Sequence, residues 1–388
     1  MFSSLGDQFF EVALLWLTTK QLGAAAGFIF GTASFVALLF GLFGGVIADR
    51  WDRRSLLIGS DVGRCVLIGL LPVLIWMNGL QVWFLLMVIL IGDLLGTIFD
   101  PALQASLPLL TENIETLYDT NALMDTTSRF ARVLGPGLTG ILLVFLPFVH
   151  FFTLDAITFG ISACTFLVLG TRLASPPPSS LKREEGKKSH ILGNFLHDVI
   201  EGYHLAYKHT AFFWSIVSLG LINMAWSIAY TIGLPLWTQR ILHGSPALLG
   251  IMISGYGFGN VISLFVGTLG KRRPLTSMYI GKIVQGIGFI LLAVTSSSLI
   301  AVGSMFVSAI GGALGDITLA TMIQTDFPTE HVGKIYSLRR TVGNLGLTFG
   351  ALASSLVYLV FNVSTGILLS GLLISLIGVI CLFHFRLK

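Results

Sequence analysis

The sequence predicts an all-α membrane protein with twelve transmembrane helices in two six-helix bundles. Only 11% of its 388 residues are charged and its mean hydropathy is +0.86, whereas soluble domains carry about 25% charged residues. The apolar residues form runs long enough to cross a bilayer, which takes about 20 residues. The loops between the runs are short and rich in Lys and Arg. A soluble core could not bury this much apolar surface.

Composition also argues against several other classes of protein. The net charge of +4 is attributed to the basic loops, so no nucleic-acid partner is expected. Cys65, Cys164 and Cys381 lie far apart in apolar segments, which predicts small core residues and neither a disulfide nor a metal cluster. The first apolar run lacks a basic leader and carries Asp7 and Glu11, so no cleavable signal peptide is expected.

The apolar runs give the predicted helices in order. Each is measured against the length needed to span a bilayer. They lie near 1–20, 24–48, 55–77, 81–107, 119–145, 150–171, 210–238, 246–270, 275–295, 298–325, 334–360 and 363–385.

The basic residues predict the orientation of these helices. All but three of the 23 lysines and arginines fall on the side of the N-terminus or in the helix halves next to it. Lys20 and Arg240 lie on the other side, and Lys282 lies within a span. Since short basic loops stay in the cytoplasm, both termini are expected to be cytoplasmic. The protein is then multi-pass in the cell membrane, the inner membrane if the cell is Gram-negative, with the lipid bilayer as its partner.

The segment 172–209 differs in kind from the rest. It is rich in Pro and charge, and then repeats apolar residues at helical spacing, which predicts an amphipathic helix on the inner membrane face. Its histidines and glutamate are interpreted as a solvated polar face, with metal ligation as the alternative. The segment therefore divides the chain into an N-terminal six-helix bundle, 1–171, and a C-terminal six-helix bundle, 210–388.

The two predicted bundles repeat one another. Trp16–Gly23 corresponds to Trp237–Gly244, and Arg53 corresponds to Arg273, at a nearly constant offset of about 220 residues, as parallel repeats would give. This repetition predicts a duplicated unit, an architecture found in transporters.

Four segments together carry a family resemblance. Gly45–Arg54 has the pattern Gly-x-x-x-Asp-Arg-x-x-Arg-Arg and resembles the signature loop of the major facilitator superfamily, with Asp52 in place of the usual glycine. Ser4–Asp7, Phe99–Ala102 and Arg132–Gly140 are similar to the branch that contains the enterobactin exporters and macrolide efflux proteins. The resemblance implies the major facilitator fold, secondary transport and a monomer.

Acids inside the spans are the candidates for proton coupling. Asp7 and Glu11 are four residues apart and share a face of helix 1, and Asp93 lies deep in helix 4. Two neighbouring carboxylates in a medium of low dielectric constant cannot both ionise easily, which is the property that proton exchange requires. The alternative for the first two is a helix end that reaches cytoplasmic water.

The resemblance also implies a cytoplasmic gate. Asp49 is expected to face the start of helix 11, where Lys334 and the helix dipole would receive it, and the arginines after it would pair with acids of helices 4 and 5. These contacts would hold the inner side closed. Asp125 and Arg129 have the spacing of a helical ion pair and are interpreted as only closing this surface. The gating residues are Gly45, Asp49, Arg50, Arg53, Arg54, Asp100, Asp125 and Arg129.

A glycine-proline segment in helix 5 resembles the motif of exporters that run as antiporters. Chemically it predicts a flexible, closely packed bend, and a generic packing kink is the alternative. Its residues are Arg132, Gly135, Pro136 and Gly140.

Polar and aromatic residues of the second half are the candidates for the substrate cavity. Lys282 could reach the membrane surface, pair with Asp316 or meet an anionic substrate. Asp155, near the outer end of helix 6, is expected to be hydrated. The cavity candidates are Asn223, Trp226, Tyr230, Tyr256, Asn260, Lys282 and Gln285.

The predicted function is export of a small amphipathic molecule, a siderophore or a hydrophobic drug, by proton antiport and alternating access. Uptake or lipid flipping on the same fold is the first alternative, and a degenerate carrier that acts as a sensor is the second. The sequence has neither a Walker loop nor a nucleophile-base-acid constellation, so no ATPase, other enzyme, cofactor or metal is expected.

Overall fold

The computed structural model describes residues 2–50, 52–110, 114–173, 203–204, 207, 209–267 and 274–386. For residues 2–5 and 41–50, and for parts of the fifth helix, only the backbone is described. Most of the linker 172–209, with its predicted amphipathic helix, lies outside these residues. So does the basic segment 271–273.

The described residues form helices and no strand. The α-helices are α1 (Phe2–Leu22), α2 (Ala26–Arg50), α3 (Arg53–Trp76), α4 (Val82–Leu110), α5 (Ile114–Phe145), α6 (Val149–Leu173), α7a (Thr210–Ser227), α7b (Leu234–Arg240), α8 (Pro246–Gly267), α9 (Pro274–Val294), α10 (Ser298–Asp326), α11 (Thr329–Val360) and α12 (Val363–Arg386). A π-helical segment, Ile228–Gly233, joins α7a to α7b.

Every predicted apolar segment overlaps a helix of the structure. The predicted first residues of α5 and α11 are the least accurate, because both helices begin about one turn before the apolar run. Within the described residues, ten helical stretches are long and apolar enough to cross a membrane. One of them, Gly6–Phe40, contains most of both α1 and α2. The all-helical membrane fold is therefore confirmed.

The break between α1 and α2 lies at Gly23. Its φ angle of 57° is in the left-handed region, which a glycine adopts without the steric cost of a Cβ atom. A short 3-10 turn, Gly23–Ala25, follows before α2 begins at Ala26. One apolar stretch is thus divided into two helices by a single backbone conformation.

The start of α3 is fixed by Asp52, the residue that replaces the usual glycine. Its carboxylate accepts hydrogen bonds from the Ser55 hydroxyl at 2.7 Å and the Ser55 amide at 2.9 Å. Acids at this position satisfy amide groups that have no partner within the helix. The bond from the Ser55 hydroxyl is the main reason why the pKa of Asp52 is lowered.

We expect Asp52→Ala to lower the free energy of unfolding by about 0.5–2 kcal/mol, because it removes the N-cap. Asp52→Asn should keep most of this stability, since asparagine caps as well as aspartate does. Because the folded-state pKa of Asp52 is lowered, its contribution to the free energy of unfolding is fully present above the ordinary carboxyl pKa of about 4. This contribution is lost as the pH falls through the lower folded-state pKa. Thermal unfolding at pH 3 to 7 would measure this. An equal pH dependence in Asp52→Asn would contradict it.

The chain divides into two compact units. The first comprises Met1–Ala13, Ala33–Arg132 and Pro147–Leu196. In it α3 packs against α4 and α6, and edge-to-face pairs join α1 to α6, with Phe9 and Phe151 at 5.5 Å and Phe10 and Phe152 at 5.8 Å between ring centroids. Such pairs stabilise beyond the area that they bury.

The second unit comprises Leu14–Thr32, Val133–Leu146 and His197–Lys388. Here α9 packs against both α10 and α12, and α11 packs against α7a. A Cβ atom at Gly281 would lie 2.6 Å from the Gly311 carbonyl oxygen, so α9 and α10 touch backbone to backbone. Small residues permit this close packing of membrane helices.

Candidate functional site

The predicted proton-coupling acids lie together in the first unit. Asp7 and Glu11 are neighbours on α1, and Glu11 interacts electrostatically with both Asp7 and Asp93 of α4. All three side chains are exposed. The prediction that the helix 1 acids share a face is confirmed, and the structure adds the acid of α4 to the same group.

Arg64 of α3 lies at the centre of a larger group of acids. Its guanidinium carbon lies 5.3 Å from the ring centroid of Phe99 and 5.1 Å from that of Phe159, a geometry that stabilises a cation on aromatic faces. Its electrostatic partners are Asp7, Asp61, Asp93 and Asp155. We call Arg64, these four acids and Glu11 the Arg64 cluster.

Space for the guanidinium comes from Gly96 of α4. A Cβ atom at this position would lie 2.8 Å from Nη2 of Arg64. The glycine therefore lets α4 approach the arginine that balances the acid Asp93 of the same helix.

Two acids of the Arg64 cluster are buried. Asp61 is 1% exposed and Asp155 is 0% exposed. Asp61 interacts with the side chain of Ser162, whereas among the described residues Oδ2 of Asp155 and Nε of Arg64 have no hydrogen-bond partner. Burying acids of this kind is costly, and Arg64 is an opposite charge that interacts with both of them.

The prediction that Asp155 is hydrated is wrong. The N-terminal part of α1 covers it, since a Cβ atom at Gly6 would lie 2.5 Å from its Oδ1 atom. The Thr158 hydroxyl donates to the same oxygen at 3.4 Å. The position of Asp155 along its own helix predicts contact with water, whereas packing against a segment distant in the sequence keeps water away from it.

Sequence reasoning missed Asp61 and Arg64 as site residues. The charge count places Arg64 only among the basic residues of the cytoplasmic helix halves. The signal was present, because an acid and a base three residues apart interrupt a predicted span, and ionisable residues within spans are functional candidates by default.

The predicted gate is only partly visible. Arg53 and Arg54 begin α3, and Arg54 donates to the Leu167 carbonyl at 3.4 Å. Asp100 interacts electrostatically with Asp7, which links it to the Arg64 cluster. The remaining gating residues have no described side chains, so their roles stay predictions: Gly45, Asp49, Arg50, Asp125 and Arg129.

The predicted exporter motif lies in a continuous helix. α5 runs through Pro136 without a break, and the Thr139 hydroxyl donates to the Gly135 carbonyl at 2.7 Å. A Cβ atom at Gly140 would lie 2.5 Å from the carbonyl carbon of Gly250 in α8. The close packing expected of this motif is therefore present at Gly140. The side chain of Arg132 is not described.

Three further contacts join α1 and the turn after it to the C-terminal helices within the second unit. Gln239 of α7b donates to the Thr19 hydroxyl at 3.0 Å and to the Trp16 carbonyl at 3.2 Å. Ser355 of α11 donates to the Ala24 carbonyl at 2.8 Å. Together with the Gly140–Gly250 contact we call these the end contacts. All lie at helix ends that the charge distribution assigns to the external side.

Three of the predicted cavity residues form an aromatic cluster. Trp226 and Tyr230 stack with ring centroids 4.4 Å apart, and Tyr230 lies 4.9 Å from Tyr256. The indole N–H of Trp226 donates to the Tyr256 hydroxyl at 3.0 Å. The three rings are half-buried.

Lys282 pairs with Asp316 and does not reach the membrane surface. Its Nζ atom lies 3.5 Å from Oδ1 of Asp316 and donates to the Gly312 carbonyl at 3.1 Å. The lysine side chain is 8% exposed and the aspartate side chain 57%. Of the alternatives left open for Lys282, snorkelling is wrong and pairing with Asp316 is confirmed, because α9 and α10 pack too closely to release the ammonium group.

The other predicted cavity residues contribute more to packing. Asn223 donates to the Gly343 carbonyl at 3.3 Å, which ties α7a to α11. Gln285 is 4% exposed and lies against Gly312. Asn260 is half-buried on α8.

A groove of about 690 Å³ runs along α6 alone. It is lined by apolar or weakly polar side chains from Ile157 to Leu169. A surface of this composition suits contact with lipid.

The sequence profile of the Major Facilitator Superfamily matches residues 1–351. The chain belongs to this superfamily. The resemblance inferred from the signature loop is therefore confirmed, and with it a membrane transporter as the class of protein.

Relatives within the superfamily include exporters. The chain is similar to macrolide efflux protein A of Streptococcus pyogenes, with 23% identity over 96% of this chain and 90% of the relative. It is also similar to the staphyloferrin A transporter of Staphylococcus aureus, with 22% identity over 72% of this chain and 66% of the relative.

Solved superfamily structures share the fold. The nucleoside transporter NupG aligns with a TM-score of 0.69 at 14% identity, over 100% of this chain and 96% of that chain. A bacterial homologue of the iron transporter ferroportin, in an inward-facing state, aligns with a TM-score of 0.66 at 16% identity, over 97% and 96%. At these identities the likeness establishes the fold alone.

Proposed function

We propose that this protein exports a small amphipathic molecule, a hydrophobic drug or a siderophore, in exchange for protons. The observation that carries the proposal is the convergence of Asp7, Glu11 and Asp93 in the first unit, where Asp7 and Asp93 also interact with Arg64. Relatives named as a macrolide efflux protein and a staphyloferrin A transporter support the cargo classes.

The proposed architecture has twelve membrane helices. The ten candidate spans increase to twelve if the left-handed Gly23 divides Gly6–Phe40 into two crossings and if α5 also crosses. The bundles are 1–171 and 210–388, the linker 172–209 joins them, and both termini are cytoplasmic. The protein then works as a monomer in the cell membrane.

The proposed coupling assigns different tasks to the acids of the Arg64 cluster. The exposed acids Asp7, Glu11 and Asp93 bind and release protons. The buried acids Asp61 and Asp155 share Arg64 with them, so protonation of an exposed acid changes how strongly the guanidinium is drawn to each partner. The charge is thereby redistributed while the guanidinium stays within the bundle. Moving this cation into lipid would be costly.

Alternating access requires the two sides to open in turn. We assign the external closure to the end contacts, which include a backbone crossing and hydrogen bonds that can be remade with water. We assign the cytoplasmic closure to Asp49 and the arginines of the signature loop, with Asp100, Asp125 and Arg129 as their partners.

The test is transport by purified protein in proteoliposomes. An imposed proton gradient should drive a radiolabelled macrolide against its own gradient in the direction opposite to proton flow, and a proton ionophore should abolish this. Transport in the same direction as protons would establish uptake instead. Flipping of a fluorescent phospholipid without macrolide transport would establish the lipid alternative, and no transport of either would overturn the proposal.

Single variants then test the coupling residues. Asp7→Asn and Glu11→Gln should each lose accumulation driven by the proton gradient, because each removes a carboxylate that binds a proton. Exchange of labelled for unlabelled macrolide, which needs no net proton movement, should persist. Asp326→Asn, at the exposed end of α10, is the matched control. Normal accumulation in both acid variants would contradict the assignment.

A further inference from the structure

We infer that the second unit binds amphipathic molecules that carry a positive charge. The aromatic cluster of Trp226, Tyr230 and Tyr256 takes the apolar body, and the Asp316 carboxylate takes the cationic group. This inference rests on the proposed transport function and narrows its cargo to one chemical class.

The rings of the aromatic cluster are half-buried and contact one another. The indole N–H of Trp226 is occupied by the Tyr256 hydroxyl at 3.0 Å, so the polar atoms of the pair satisfy one another. The stacked rings of Trp226 and Tyr230 lie at an interplanar angle of 16°. Aromatic faces attract cations and pack against flat apolar groups. The half-buried rings therefore suit a cationic amphipath better than an anion.

A rare backbone conformation positions this cluster. Tyr230 lies in the π-helical segment Ile228–Gly233, and such segments are frequent at functional sites. The hydroxyl of Tyr358, 5% exposed, donates to the Ile228 carbonyl at 2.8 Å. A buried side chain of α11 thus supplies a hydrogen bond to the irregular turn. This is independent support that the cluster is more than ordinary aromatic packing.

The ion pair on α9 and α10 is arranged with its negative group outward. Asp316 is 57% exposed whereas Lys282 is 8% exposed and is also bound to the Gly312 carbonyl. A cavity of only about 10 Å³ lies beside the pair, which leaves room for about one water molecule. An approaching ligand therefore meets the carboxylate first, while the ammonium group remains behind it.

The carboxylate and the aromatic cluster lie on helices that pack against each other. Asp316 interacts electrostatically with the Tyr256 hydroxyl group, and α8 and α10 pack directly against each other. Asp316 lies within the candidate span Ser298–Ile323, where an acid is costly and marks a functional position. A ligand with its charge at one end and an apolar body at the other would span both features.

The test is equilibrium binding of tetraphenylphosphonium to the full-length protein in lipid nanodiscs, measured by calorimetry. Tetraphenylborate, an anion of the same shape, is the matched probe. We expect the cation to bind and the anion not to bind. Asp316→Asn should weaken binding of the cation by about tenfold or more, since that factor corresponds to a single modest ionic interaction.

Two further variants separate recognition from structure. Tyr230→Leu should also weaken binding of the cation, because it removes a ring face. Lys282→Gln should bind the cation as well as wild type or more tightly, because the competing ammonium group is gone. Asp326→Asn on the same helix should bind as wild type does. Thermal unfolding of each variant verifies that it is folded.

Several results would overturn the inference. These are tighter binding of the anion, no effect of Asp316→Asn, or equal weakening by Asp316→Asn and Lys282→Gln, which would make the pair a structural link only. Macrolide export without binding of the cation would refute this site and leave the proposed function standing. Asp316-dependent binding of the cation without proton-driven export would support this site and refute the proposed function.

Discussion

Replacing Arg64 with methionine is expected to abolish proton-driven export and to lower the free energy of unfolding by roughly 3–5 kcal/mol. The variant leaves Asp61 and Asp155 buried without the arginine that balances them. It also removes the group that the exposed acids Asp7 and Asp93 share with the buried ones. Accumulation in proteoliposomes and thermal unfolding measure the two effects.

The loss of stability and the loss of coupling can be separated. In the double variant Arg64→Met with Asp61→Asn, one buried charge disappears along with its partner, so stability should recover in part while export remains absent. Arg340→Met, an exposed arginine on α11, should change neither. Export at the wild-type rate by the folded double variant would refute the role of Arg64.

Gly140→Val is the second substitution with a large expected effect. Its Cβ atom would lie 2.5 Å from the carbonyl carbon of Gly250 and 2.7 Å from its oxygen, and backbone atoms cannot move aside as a side chain can. Overpacking of this kind costs about 1–3 kcal/mol, which corresponds to roughly tenfold or more in an equilibrium between two conformations. We expect α5 and α8 to separate, the end contacts to weaken and transport to fall accordingly.

A cysteine at position 355 reports on this change. Ser355 is 0% exposed, so Ser355→Cys in a background without Cys65, Cys164 and Cys381 should be protected from a membrane-impermeant maleimide added outside. Adding Gly140→Val should expose it. Gly303→Val is the matched control, since no atom lies within 4 Å of a Cβ atom at that position. Equal labelling with both valine variants would exclude a specific role of the Gly140–Gly250 contact.

The features that were predictable from the sequence are those that repeat along the chain. Apolar length gave the helices, and a four-residue spacing placed Asp7 and Glu11 on one face of α1. The predicted starts of α5 and α11 are too late because their first turns carry the charged residues Glu115 and Glu330, and a helix can extend into water beyond the apolar span.

The features that were missed depend on contacts between distant segments. Nothing near Asp155 in the sequence shows that Gly6 will cover it, or that Phe99 and Phe159 will hold Arg64 between their rings. A charge in an apolar run can turn toward a neighbouring helix or reach the membrane surface, and its own sequence context is the same in both cases. For Lys282 the decision depends on Gly312 and Asp316 of α10.

The π-helical segment Ile228–Gly233 has a consequence for how this protein can change. It amounts to one extra residue in the helix, and one residue rotates an α-helix by about 100°. The rotation of α7a at the aromatic cluster is therefore independent of the rotation of α7b, whose Gln239 contacts Thr19. Under the proposed roles, mutations in α7a can alter the ligand site without turning Gln239 out of register, so cargo preference and external closure can evolve independently along one helix.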